Sequence, residues 1–248
     1  MMTAFQLAEL YEVLGNRSGR LEREGPLLLE ALAAAPNRRL ADLACGLGLH
    51  AAFFAEHGAQ VYASDLSAEM VAHAQKHRSA PTIQYRVGDM CFPSDGPFGL
   101  MVCLGNSLCL LANKEKLATF FRNSFEVLSP GGILITQTLN YEKKALQQPR
   151  IRTEEAKLPQ GKLVAVKRFV PEATQTQLTI DYLSASSTGM RETRESFVLQ
   201  HWIASFLQSI GEKAGFSLRG RYGGYDKSPL SPDSTDIILS FEKPSSKQ

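Results

Sequence analysis

Gly46 and Gly48 stand one residue apart, between a short apolar run at residues 40–44 and a helical pattern that begins at Ala51. Gly58 ends that pattern, residues 61–64 read as a second strand, and the strand runs into Asp65. Strand, glycine turn, helix, strand and acid in this order is an arrangement that holds a nucleotide. Glycine lets a backbone approach a ligand closely, and the first turn of a helix offers it unpaired N–H groups. An acid about twenty residues beyond the turn accepts the hydrogens of ribose hydroxyls. Gly46, Gly48 and Ala51 also satisfy the looser pattern G-x-G-x-x-A, so the glycines alone leave an NAD-dependent Rossmann oxidoreductase open.

The surrounding residues narrow this. Asp42-x-Ala44-Cys45-Gly46-x-Gly48 resembles the first motif of class I S-adenosylmethionine (SAM) dependent methyltransferases, and Ser64-Asp65-Leu66-Ser67-Ala68-Glu69-Met70 resembles their second. Gly88-Asp89-Met90 is similar to the adenine-binding turn of the family. Cys103-Leu104-Gly105-Asn106-Ser107 and Asn140-Tyr141-Glu142 are similar to stretches of the glycine/sarcosine N-methyltransferase-like small-molecule enzymes. The resemblance implies SAM as cofactor, S-adenosylhomocysteine as product and no metal. It implies cofactor contacts at Arg20, Ala44, Cys45, Gly46, Gly48, Asp65, Leu66, Asp89, Met90, Leu104 and Gly105. Arg20 would grip the methionine carboxylate through two parallel bonds, with Arg17 and Arg23 as competitors for that place. Asp89 either accepts the adenine amine or simply forms a turn. Acceptor candidates are Asn106, Asn140, Tyr141, Tyr182 and Tyr222. Asn106 either hydrogen-bonds the acceptor or caps the next helix; the tyrosines and His201 either line the acceptor site or pack. Relatives that act on glycine carry an arginine just before the Asn-Tyr pair. Here that residue is Leu139, which disfavours glycine itself.

The elements that must position these residues follow from pattern. Residues 5–14 and 21–34 carry apolar positions at helical spacing. Ser67 reads as a helix N-cap, with Met70, Val71 and Ala74 on the buried face. Residues 82–87 read as a strand. Residues 98–104 are continuously apolar, as a parallel strand buried on both faces should be. A helix over 114–128 is followed by a tight turn at 129–132 and a strand to 139. Between 143 and 202 the alternation stops; 162–170, 177–186 and 193–202 read as antiparallel strands. A helix over 203–214, strands over 216–222 and 236–242, and a frayed tail from 243 complete the chain. The expected fold is α/β: a Rossmann-like, seven-stranded, mostly parallel sheet with a C-terminal antiparallel hairpin strand. A small antiparallel β insertion follows strand 5. Residues 1–142 and 203–248 would form the SAM-binding domain, and 143–202 an inserted lid over the acceptor.

Composition bounds the rest. The chain has 248 residues, 44% of them apolar, and a net charge of +2. That suits one elaborated domain and predicts no strong nucleic-acid or membrane binding. No Pro-Pro and no Pro-Cys occurs, so two nucleic-acid methyltransferase signatures are missing. Cys45, Cys91, Cys103 and Cys109 match no zinc spacing and read as reduced thiols. No signal peptide and no run of eighteen apolar residues is apparent, which points to the cytoplasm. A monomer or homodimer is expected. No catalytic triad is found, and none is expected: the methyl of SAM is already activated, so in-line alignment with a small-molecule acceptor, an amine nitrogen by preference, carries the chemistry. A SAM-binding protein without turnover is the remaining alternative. No tyrosine has Lys four residues on, which counts against a short-chain oxidoreductase.

Overall fold

Two helices, α1 (Leu7–Gly15) and α2 (Arg20–Ala34), precede the first strand in a computed structural model that describes residues 7–15, 19–93, 96–158, 161–186 and 189–245. Phe5 and Arg17 lie outside the described residues. Strands and helices then alternate: β1 (Arg39–Leu43), α3 (Leu49–Glu56), β2 (Gln60–Asp65), α4 (Ala68–His77), β3 (Ile83–Val87), β4 (Phe98–Cys103), α5 (Lys114–Val127) and β5 (Leu128–Leu139). After four further strands come α6 (Ala204–Lys213), β10 (Ser217–Tyr222) and β11 (Asp236–Glu242).

The main sheet has seven strands in the order β10-β11-β5-β4-β1-β2-β3. Strands β1 to β5 pair in parallel, and β11 runs antiparallel to both β5 and β10. Helices cover both faces, so the central strands have no wet side: every residue of β4 is buried. That is why residues 98–103 carry no polar side chain. Around the sheet lie two large apolar clusters. One is built on Phe98, Phe120, Phe121 and Phe241, the other on Leu28, Leu40, Phe54 and Val102.

Because strand order reverses between β1 and β4, their C-terminal ends open a crevice. The residues that follow β1, β2, β3 and β4 all lie on that edge. Ser67 caps α4 as its position suggested, its hydroxyl accepting from the Met70 N–H at 3.3 Å.

The four-stranded sheet comprises β6 (Arg150–Leu158), β7 (Gly161–Pro171), β8 (Gln175–Ser186) and β9 (Gly189–Gln200), antiparallel in chain order. Its inner face carries Leu163, Ala165, Ile180 and Tyr182, which pack with Leu10 of α1.

Three sequence expectations need correction. Strand β6 was not anticipated, because its half-buried face includes Arg150 and Glu154, so Arg-Ile-Arg-Thr-Glu-Glu-Ala-Lys-Leu lacks apolar alternation. Residues 129–132 are not a separate turn: β5 is continuous from Leu128, with Gly131 at φ 74° absorbing a register shift against β4. Lys243 is not frayed. Its backbone pairs with Gly131 and Gly132, and its ammonium donates to the Phe125 and Leu128 carbonyls at 2.7 and 2.9 Å.

Candidate functional site

A cleft of about 820 Å³ lies across the C-terminal ends of β1, β2, β3 and β4. Its floor begins at the glycine turn, where Ala44, Gly46 and Gly48 have φ of 56°, 54° and 78°. A Cβ added at Gly46 would meet nothing within 4 Å, so there the backbone conformation, not crowding, calls for glycine. Gly48 differs. A Cβ there would lie 2.5 Å from the Tyr85 hydroxyl, and the residue is absent from the cleft wall. Gly48 thus packs the turn tightly on β3.

Asp65 is fixed by two backbone amides. Gly46 N–H donates to its Oδ2 at 2.8 Å and Ser67 N–H to its Oδ1 at 2.9 Å. Each oxygen keeps a second lone pair, so the carboxylate can still accept two hydroxyls. Asp89 accepts from the Cys91 N–H at 2.9 Å, which is the turn geometry expected of it, and it also lines the cleft.

Arg20 is the first residue of α2, not a loop residue before it. Its Nε donates to Glu24 at 3.1 Å, and its Nη2 lies 3.7 Å from where a Gly105 Cβ would be. Glu24 is 2% exposed and also accepts from Arg23 at 3.0 Å, while His50 Nε2 stands 2.7 Å from its other oxygen. Burial pushes the Glu24 carboxyl up, but the His50 bond and the Arg20 charge outweigh it and the net shift is downward. This knot aims Arg20 along the cleft floor. Arg23 does not line the cleft.

Beneath the turn, Asp42 is fully buried and its Oδ2 has no hydrogen-bond partner. Burial raises its pKa to about 6, the nearby His50 and Arg20 only partly opposing it. All four cysteines are free and buried. Burial pushes the Cys91 and Cys109 thiols up to about 12, Cys45 higher still and Cys103 well above the usual thiol range, so none is a ready nucleophile.

The roof comes from two elements remote in sequence, α1 with Tyr11 and Glu12, and β9 with Glu195 and Phe197. Arg78 clamps α1 down. Its guanidinium bonds Glu12 at 2.7 and 2.8 Å and the Leu47 carbonyl of the glycine turn at 3.0 Å.

Comparison with known proteins follows this geometry. Residues 40–132 match the family model described as Methyltransferase domain. A glycine/sarcosine N-methyltransferase of Halorhodospira halochloris is 29% identical over 128 residues, 50% of this chain and 48% of that protein. The chain thus spans about half the length of that relative. A dTDP-4-amino-2,3,4,6-tetradeoxy-D-glucose N,N-dimethyltransferase of Saccharopolyspora spinosa is 24% identical over 87% of this chain and 86% of its own. A SAM-dependent methyltransferase structure from Clostridium acetobutylicum superposes with a TM-score of 0.82 at 14% identity, covering 96% and 97% of the two chains. Residues 40–132 thus carry a methyltransferase domain, and the fold is that of SAM-dependent methyltransferase structures.

Of the eleven residues expected to contact a cofactor, Arg20, Ala44, Cys45, Gly46, Asp65, Leu66, Asp89, Met90, Leu104 and Gly105 line the same cleft. The acceptor candidates are not gathered in that cleft. Asn106 is committed internally: its Oδ1 accepts from Leu139 N–H at 2.8 Å and its Nδ2 donates to the Tyr141 hydroxyl at 2.9 Å. Nor does its side chain cap the next turn. Asn140 is 2% exposed, and its Nδ2 donates to the Ser231 and Ser234 carbonyls at 3.1 and 3.2 Å, pinning the loop before β11. Tyr141 faces a separate cavity of about 970 Å³, where its ring stacks on His201 at 4.3 Å. That cavity is the larger, but it has neither the glycine turn nor the strand-end acids. Tyr182 is buried behind the roof, and Tyr222 lies at the end of β10, outside both cavities.

Sequence reading missed Tyr11, Glu12, Arg78, Glu195 and Phe197. Tyr11 read only as an apolar helix position, and Glu195 sits in a charged strand where no motif marks it. Among the described residues, no group of three or more His, Cys, Asp or Glu is placed to hold a metal ion, and no helix is long and apolar enough to cross a membrane.

Proposed function

We propose that the protein transfers the methyl group of SAM to the nitrogen of a small-molecule amine. The carrying observation is the single cleft, with strand-end cofactor residues as its floor and Tyr11, Glu195 and Phe197 as its roof. In this reading Asp65 takes the ribose hydroxyls, Asp89 the adenine edge and Arg20 the methionine carboxylate. Residues 1–142 and 203–248 form the cofactor domain, and 143–202 the lid that walls the acceptor.

The residues present fit SAM. The cleft volume is in the range of small-molecule sites, its wall is mainly apolar, and an acid and a guanidinium stand at different places on its floor. Bound there, SAM would supply a methyl already activated by a positively charged sulfur; a neutral amine nitrogen would take it with its lone pair, the sulfur keeping the C–S pair and the extra N–H proton passing to solvent. The protein's part is alignment: the roof excludes water and presents the nitrogen, and no side chain need act as nucleophile. The named relatives methylate nitrogen, on glycine or sarcosine and on a nucleotide-linked amino sugar. Leu139, in place of a carboxylate-holding arginine, favours an acceptor less acidic than glycine.

Calorimetric titration with SAM and with NADH, then a panel of small amines, amino acids and amino sugars read by S-adenosylhomocysteine release, tests this. SAM binding without NADH binding, and acceptor-dependent release with an amine, are expected. NADH binding in place of SAM, or SAM binding with no release across the panel, would overturn it.

A further inference from the structure

We propose that Glu195 is the recognition group for a positively charged amine on the acceptor, other than the nitrogen that is methylated, held ready by Tyr11 in the roof of the cleft and by Tyr182 behind it. This rests on the methyltransferase reading above. Tyr11 and Tyr182 come from α1 and β8, yet both hydroxyls donate to the same atom, Glu195 Oε2, each at 3.0 Å. Oε1 accepts no bond from the described residues, and the side chain is half-buried on the cleft wall. The two rings stand 6.0 Å apart, with Tyr182 buried behind Tyr11, so the carboxylate is braced from its back. Burial pushes the Tyr11 hydroxyl up to about 12 and that of Tyr182 higher, so at neutral pH both remain donors.

Phenol hydroxyls orient a carboxylate without cancelling its charge. Among the described residues, no lysine, arginine or histidine forms an ion pair with Glu195, in contrast to Glu12, Glu24 and Asp181, each of which has at least one arginine. A half-desolvated anion with one unspent oxygen, beside the rings of Tyr11 and Phe197, is a receptor for a cation that also donates N–H bonds. It repels a carboxylate or phosphate at the same spot. If Glu195 served only to accept from the tyrosines, a glutamine amide oxygen would replace it without loss. Charge is the property that a purely structural role does not need.

The test uses full-length protein saturated with S-adenosylhomocysteine, titrated calorimetrically at pH 7 with cyclohexylamine, a cation there, and with its neutral isostere cyclohexanol. The amine is expected to bind at least tenfold more tightly. Glu195→Gln should cut that preference to within about twofold while leaving S-adenosylhomocysteine affinity and Tm unchanged. Glu195→Ser is a second charge-free variant, and Tyr182→Phe should keep most of the preference. Equal binding of the two probes to the wild type, or a preference that survives Glu195→Gln or Glu195→Ser, overturns the proposal alone. Failure of the wild type to bind S-adenosylhomocysteine overturns the methyltransferase reading and this proposal with it.

Discussion

The floor and the roof of the cleft come from sheets that obey opposite rules. The seven-stranded sheet is covered on both faces, and β4 exposes nothing along its whole length. The groups that line the cleft appear only beyond the strand ends, where parallel strands release their chains on one edge. The four-stranded sheet is covered on one face only, and its strands β6 and β9 are mostly exposed. Its contribution to the cleft comes from mid-strand residues, Glu195 and Phe197, that happen to face inward. A floor of that kind holds its geometry because moving any part of it would open a close-packed core. A roof resting on one small apolar cluster can be repacked at little cost to the fold.

Core substitutions give the largest contrast. Phe121 is fully buried against Phe120, Phe216 and Phe241, whereas Phe197 is only partly buried. Phe121→Ala should cost about 3–5 kcal/mol and Phe197→Ala less than about 2 kcal/mol. Equal losses in urea unfolding would show that the roof is as tightly packed as the floor.

Next comes Asp42. Its folded pKa is about 6, above the usual 3.8. Below the unfolded value it is neutral in both states and costs nothing. As pH rises from the unfolded value to the folded one, the unfolded chain ionises while the buried group keeps its proton, and stability is lost, fully so above the folded value. The full effect is about 3 kcal/mol. Asp42→Asn should therefore gain on the wild type in Tm between pH 4 and 7; parallel pH profiles of the two proteins would dismiss this.

Asp65→Ala removes charge-assisted bonds on the floor, each worth about 1.5–3 kcal/mol. SAM affinity should fall at least tenfold while the fold survives. Unchanged affinity would remove Asp65 from the site.

The smallest effect separates two neighbours on one helix. Arg20 lines the cleft and Arg23 does not. Arg20→Ala should weaken SAM, S-adenosylhomocysteine and sinefungin alike, by about tenfold or 1.4 kcal/mol, and Arg23→Ala by less than about twofold. The reverse ranking would break the assignment of the floor.

Much of the floor was legible from residues 40–105 alone. Its helices and strands have strong periods, and a glycine turn followed by an acid is a local signal with a local cause. Even there Gly48 has two readings, because the lack of a side chain serves ligand approach and close packing against Tyr85 equally. Strand β6 was illegible because the positions on its half-buried face include Arg150 and Glu154, which leaves no hydrophobic alternation to read.

The acceptor side shows where local reading stops. Asn106, Asn140, Tyr141, Tyr182 and Tyr222 have the right chemistry for a substrate wall, yet each is committed or placed elsewhere by the fold. A side chain's type tells what it can bind; only its neighbours tell what it has already bound. Sequence by itself determined the doubly wound sheet, the nucleotide turn and the strand-end acids, since these arise from contacts among residues near one another along the chain. Tertiary structure alone decided the roof. Tyr11 and Glu195 meet because the four-stranded sheet folds back over α1, a pairing 184 residues apart that no period, motif or spacing encodes.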